Sequence, residues 1–126
     1  MRVSVVLDTT DAAGLAPFWQ EALGYRIAGE VGAFVVLVPP DGAAGGAPVF
    51  VLQQVGEERA GKNRVHVDLH PPDAEAHVAA LERLGARRLG DGVTELSEEL
   101  GGTWWQRMAD PEGNEFCVVA DPAPRP

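Results

Sequence analysis

Cysteine is nearly absent: Cys117 is the one example in 126 residues, so no disulfide can close within the chain and a cysteine-rich zinc site is excluded. That usage suits a reducing compartment, and a cytoplasmic location is the expectation. Positive charge is also scarce, with 10 Lys and Arg against 19 Asp and Glu, a net charge of -9 and a pI of about 4.6. Nucleic acid and anionic membrane surfaces would repel such a chain, so neither is an expected partner. No apolar run approaches the roughly 18 residues that a membrane span needs, and residues 1–8 hold no signal-like apolar region. The glycine- and alanine-rich residues 42–47 lack a Gly-Lys-Ser/Thr ending, which argues against a phosphate cradle and for a flexible hairpin tip.

At 45% hydrophobic the chain can bury one real core, and its length suits a single domain over residues 1–126. Residues 2–8, rich in valine, read as a buried strand. Asp11 is a good N-cap, and Leu15, Phe18, Trp19, Ala22 and Leu23 then recur at helical spacing up to Gly24. Residues 25–31 and 49–55 read as strands, and the unbroken apolar run 34–38 as a buried one. Residues 39–42, Pro-Pro-Asp-Gly, form a type I turn.

A charged connector follows, and then the pattern restarts. Ser4 aligns with His66, Leu7 with Leu69 and Asp11 with Asp73, each 62 residues apart, so the chain holds a diverged tandem repeat. Asp73 caps a second helix whose buried stripe is Val78, Leu81 and Leu84. Strands are expected from residue 87, over 103–109 and over 115–120, with Asp110-Pro111-Glu112-Gly113 as a second type I turn. The proline-rich residues 122–126 read as a disordered tail.

Residues 64–69, R-V-H-V-D-L, are the most informative stretch. In a strand, Arg64, His66 and Asp68 share one face, with His70 continuing the row, while Val65, Val67 and Leu69 take the other. Either that polar face is merely wet, or His66 and Asp68 look into a cavity. In the second case they form a proton-transfer pair, the carboxylate orienting the imidazole and favouring its charged form. The alternative is an ion pair or hydrogen bond with no chemical task. Trp105, Tyr25 and Phe34 are candidates to stack on a flat ligand or to fill the core.

The segments D-T-T-D-A-A-G-L-A-P-F-W-Q-E-A-L-G-Y at 8–25, K-N-R-V-H-V-D-L at 62–69 and M-A-D-P-E-G-N-E-F-C-V-V at 108–119 resemble the vicinal oxygen chelate superfamily, and within it the glyoxalase-like proteins. The resemblance implies an α+β fold of two tandem βαβββ modules, about 1–58 and 62–121, forming a half-open barrel-like sheet with the helices outside. It also implies a homodimer. Enzymes of the superfamily place a metal-ligating His or Gln seven residues before the helix-capping Asp and a Glu seven after the Asp of D-P-x-G. Here those places hold Ser4 and His66 before the caps, and Cys117 after Asp110; the first module's last ligand falls at Val51 or Gln53, and Glu115 stands two positions early. Only His66 matches outright, so no metal and no other cofactor is expected. The resemblance then implies a metal-free protein that binds or sequesters a hydrophobic or aromatic metabolite or antibiotic through Ser4, Gln53, His66, Trp105, Glu115 and Cys117. A lyase or isomerase of glyoxalase type, acting on a small carbonyl compound with His66 and Asp68 as catalytic groups, is the alternative.

Overall fold

Two aspartates start the two helices in the same way. Asp11 accepts a hydrogen bond from the Gly14 N–H at 3.0 Å and opens α1 (Ala12–Leu23), while Asp73 accepts from the Ala76 N–H at 3.1 Å and opens α2 (Ala74–Arg83). Each carboxylate satisfies a backbone donor that the first helical turn leaves without a partner. Gly24 ends α1 with φ 67°, a left-handed conformation that only glycine adopts at no steric cost. The computed structural model describes residues 2–94 and 104–121. The chain divides into two compact units, Met1–Ala60 and Gly61–Pro126.

In the first unit, β1 (Ser4–Thr9), β2 (Arg26–Val31), β3 (Phe34–Val38) and β4 (Val49–Gln54) form one sheet in the order β1-β4-β3-β2. β1 runs parallel to β4, and the other pairs are antiparallel. α1 packs Leu15, Phe18, Trp19 and Ala22 on one face of the sheet, opposite Val35, Leu37, Phe50 and Leu52. Trp19 stacks on Phe50 with ring centroids 5.0 Å apart, and Phe18 meets Trp19 edge-on at 5.5 Å. Phe18 and Trp19 are thus core side chains. Residues 42–47 contain a single 3-10 turn, Gly42–Gly45.

Two strands depart from the expectation of full burial. β1 and β3 each alternate, with Ser4, Val6, Asp8 and Phe34 exposed while Val35 and Leu37 are buried. A single helix covers a single face of this sheet, and β1 is an edge strand, so an apolar run is hidden on one side only.

The second unit repeats the topology. β5 (Asp68–Leu69), β6 (Arg87–Arg88), β8 (Trp104–Ala109) and β9 (Glu115–Ala120) follow the order β5-β9-β8-β6, and the short β7 (Val93–Thr94) also pairs with β8. β5 is parallel to β9 as β1 is to β4. α2 buries Ala74, Val78 and Leu81, and Phe116, Val118 and Met108 complete the apolar side. Leu84, expected in that stripe, is 44% exposed because the helix has ended at its cap. The two units give an α+β fold of paired βαβββ modules. The expected tail at 122–126 and residue 103 of the expected strand 103–109 lie outside the described residues.

The expected strand over 64–69 shortens to Asp68–Leu69, with one further bond from the Cys117 N–H to the Val67 carbonyl at 3.0 Å. Its partner runs out: β9 begins at Glu115, whose N–H is taken by the Asn63 side chain at 3.2 Å. Val65 is accordingly 81% exposed and not part of an apolar face.

Candidate functional site

On the face of the second sheet away from α2, β9 alternates so that Glu115, Cys117 and Val119 point one way and Phe116 and Val118 the other. The register sets Asp68 of β5 and Arg107 of β8 on either side of Cys117, and Trp105 beside Val119. A cavity of about 330 Å³ opens there, lined by His66, Asp68, His70, Trp105, Cys117 and Val119. That volume suits a small one- or two-ring molecule. Trp105, Val119 and Cys117 supply an apolar wall; His66, Asp68 and His70 supply a polar one.

The polar wall is ordered by two histidine–carboxylate pairs. His66 Nε2 lies 3.3 Å from Asp68 Oδ1, with both side chains half-exposed. His70 Nδ1 lies 3.0 Å from the Asp121 carboxylate, tying the end of β5 to the end of β9. Asp68 also takes a hydrogen bond from the buried Cys117 thiol. Burial, the Asp68 charge and that hydrogen bond push the thiol up to about 11, with Arg107 acting in the opposite direction and Glu115 adding to the rise. At neutral pH the sulfur therefore keeps its proton and behaves as a small apolar wall group with one donor.

A ring nitrogen of His66, a carboxylate oxygen of Asp68 and Sγ of Cys117 lie within 4.8 Å of one another, a donor set of one nitrogen, one oxygen and one sulfur. Its chemistry fits a hard divalent ion poorly. Such ions favour oxygen ligands, whereas here the sulfur must first lose a proton that burial and Asp68 retain.

His66, Asp68, Trp105 and Cys117 thus come together in one cavity. Glu115 does not line it, and acts on Cys117 only through its charge. Ser4 and Gln53 lie in the first unit, on the sheet face opposite α1; Ser4 is exposed and Gln53 half-buried between Asp8 and Phe34. Phe34 is 38% exposed on that face. Tyr25 donates its hydroxyl proton to the Pro48 carbonyl at 2.8 Å, in the first unit, and is not among the described residues that line this cavity. Val119 and Arg107 escaped the sequence reading, although period-two spacing from Cys117 and from Trp105 points to both.

The D-P-E-G-N segment proves to be a buried carboxylate turn. Asp110 Oδ1 accepts from the backbone N–H groups of Glu112 at 2.9 Å and Asn114 at 2.8 Å, and Oδ2 accepts from Asn114 Nδ2 at 2.9 Å. This closes the β8–β9 turn and sets the register that puts Cys117 between Asp68 and Arg107.

Paired βαβββ modules with a cavity on one sheet face define a class of small α+β proteins built by duplication. The chain belongs to the glyoxalase-like domain family, whose model matches residues 4–119. Among solved structures it is similar to a glyoxalase/bleomycin resistance protein/dioxygenase family enzyme from Burkholderia phytofirmans PsJN, at 15% identity and a TM-score of 0.73 over 93% of this chain and 95% of that one. It is also similar to FosX, a genomically encoded fosfomycin resistance protein from Listeria monocytogenes, at 9% identity and a TM-score of 0.74 over 98% and 94% of the two chains. The same Listeria protein complexed with Mn(II) and sulfate aligns at 10% identity and a TM-score of 0.69 over 98% and 93%. At these identities the likeness establishes the fold alone. No curated protein matches the chain. Among the described residues, no helix is long and apolar enough to cross a membrane.

Proposed function

We propose that the protein binds a small flat hydrophobic or aromatic molecule, a metabolite or an antibiotic, in the cavity of its second module, and does so without a resident metal. The observation that carries this reading is the two-sided wall: Trp105, Val119 and a protonated Cys117 face the ligand's apolar surface while His66, Asp68 and His70 orient its polar edge. The structural neighbour from Listeria was crystallised with Mn(II), but the His66, Asp68 and Cys117 donors suit such an ion poorly. Calorimetric titration of the full chain with flat metabolites in the presence of a chelator tests the proposal. Binding should survive the chelator and weaken about tenfold or more in Trp105→Ala, in keeping with the loss of a stacking contact. Affinity that appears only with added metal would sink it.

The 3.3 Å pair of His66 and Asp68 inside the cavity supports a second reading, a lyase or isomerase acting on a small carbonyl compound. Asp68 would orient the ring, and His66 would move a proton at the carbon beside the carbonyl. Solvent deuterium incorporation into such a substrate should then vanish in His66→Ala. Incorporation that persists in that variant removes His66 from the chemistry.

A further inference from the structure

Charge around the cavity is unevenly distributed. Among the described lining residues, Asp68 is the one carboxylate and there is no Lys or Arg. Beside the lining stand two more carboxylates: Glu115, which acts on Cys117, and Asp121, which holds His70. Arg107 is a nearby cation; it is exposed, and it sits on the far side of Cys117 from Asp68. Asp68 and Arg107 flank Cys117 from the two neighbouring strands, Asp68 within the lining and Arg107 outside it. Beyond the site, a net charge of -9 draws cations toward the protein and repels anions. Trp105, half-buried in the same wall, offers an indole face, a surface that attracts a positive charge through its quadrupole.

We propose that the cavity selects for charge: it takes a protonated aromatic amine in preference to the corresponding aromatic carboxylate, seating the ring against Trp105 and pairing the ammonium group with Asp68. This rests on the cavity being the ligand seat, and deepens that reading by naming the class of ligand. An aromatic acid of the same shape would surrender its hydration to meet Asp68, with no Lys or Arg among the described lining residues and with His66 and His70 already held by Asp68 and Asp121. An amine of that shape exchanges water for a carboxylate and a ring face.

The test uses the full chain and three probes that share a phenyl ring and a short chain: phenethylamine, 2-phenylethanol and 3-phenylpropanoate, titrated by calorimetry in low salt with a chelator. The amine should bind about tenfold more tightly than the acid, with the alcohol between them. Asp68→Asn should bring amine and acid to within about threefold of each other. Arg107→Gln, on the exposed side of the row, should widen the amine's advantage, so the inference does not depend on one variant's folding. If the alcohol binds and the amine binds no better than the acid, charge selection is overturned and the ligand seat stands. If none of the three binds, both readings fall.

Discussion

Asp110 shows how a short motif becomes a physical requirement. Its carboxylate is 3% exposed, and three donors converge on it from Glu112 and Asn114. Removing it takes away the acceptor of the buried Asn114 N–H and side-chain amide, at a cost of about 3 kcal/mol. Asp110→Ala should lower the urea midpoint accordingly, and a loss below about 1 kcal/mol would show that the turn is held by something else. Cys117 makes a second prediction, in pH. Its folded value of about 11 lies above the ordinary thiol range, so the folded state holds the proton more tightly than the unfolded chain does. The resulting stability is fully present below the unfolded thiol's pKa of about 8.5 and is lost as pH rises through that value toward about 11. Alkylation by iodoacetamide should therefore stay slow through neutral pH and accelerate only in strong alkali, and Asp68→Asn should shift the profile to lower pH. A rate that levels off near pH ~8.5 in the parent protein would contradict the assigned surroundings of the sulfur.

Gln54, next to the candidate ligand residue Gln53 at the end of β4, has a structural task. Gln54 Oε1 accepts from the Ala12 N–H at 2.8 Å, and Nε2 donates to the Thr10 carbonyl, so a side chain 42 residues away helps cap α1. Gln54→Ala should cost about 1 kcal/mol and speed amide exchange at Ala12; unchanged exchange there would count against the cap. The local signals were legible: capping aspartates, helical spacing, the two proline turns and the 62-residue offset all name elements that form. Sequence patterning could not show which face of an apolar strand lacks a covering layer, so β1 and β3 read as more buried than they are. Nor could it show that a strand needs a neighbour of matching length: residues 64–67 alternate well, yet β9 starts too late to pair with most of them. At the site, period two put His66, Asp68 and His70 on one side. The pairing of Asp68 with Cys117 depends on the parallel register between β5 and β9, which joins residues 49 apart and leaves no local trace.

The two units share one strand order, so duplication yields two sheets, each with a helix on one side. In the first unit the uncovered side carries Val6 at 54% exposure and Phe34 at 38%, with Val31 at 68% on the edge strand β2. Apolar side chains grouped on one sheet mark a surface that gains by being covered. A homodimer, as the family resemblance implies, would supply a cover: a second copy would present the same surface under twofold symmetry, and a self-complementary apolar patch is how such interfaces commonly close. Light scattering of the purified chain should accordingly give twice the 13.3 kDa chain mass. A Val6→Glu, Phe34→Glu double variant should shift the protein to monomer while leaving the helical circular dichroism signal in place, because neither side chain belongs to the packed core. A monomer in the parent protein would end the dimer reading. A variant that stays dimeric would move the interface off this face.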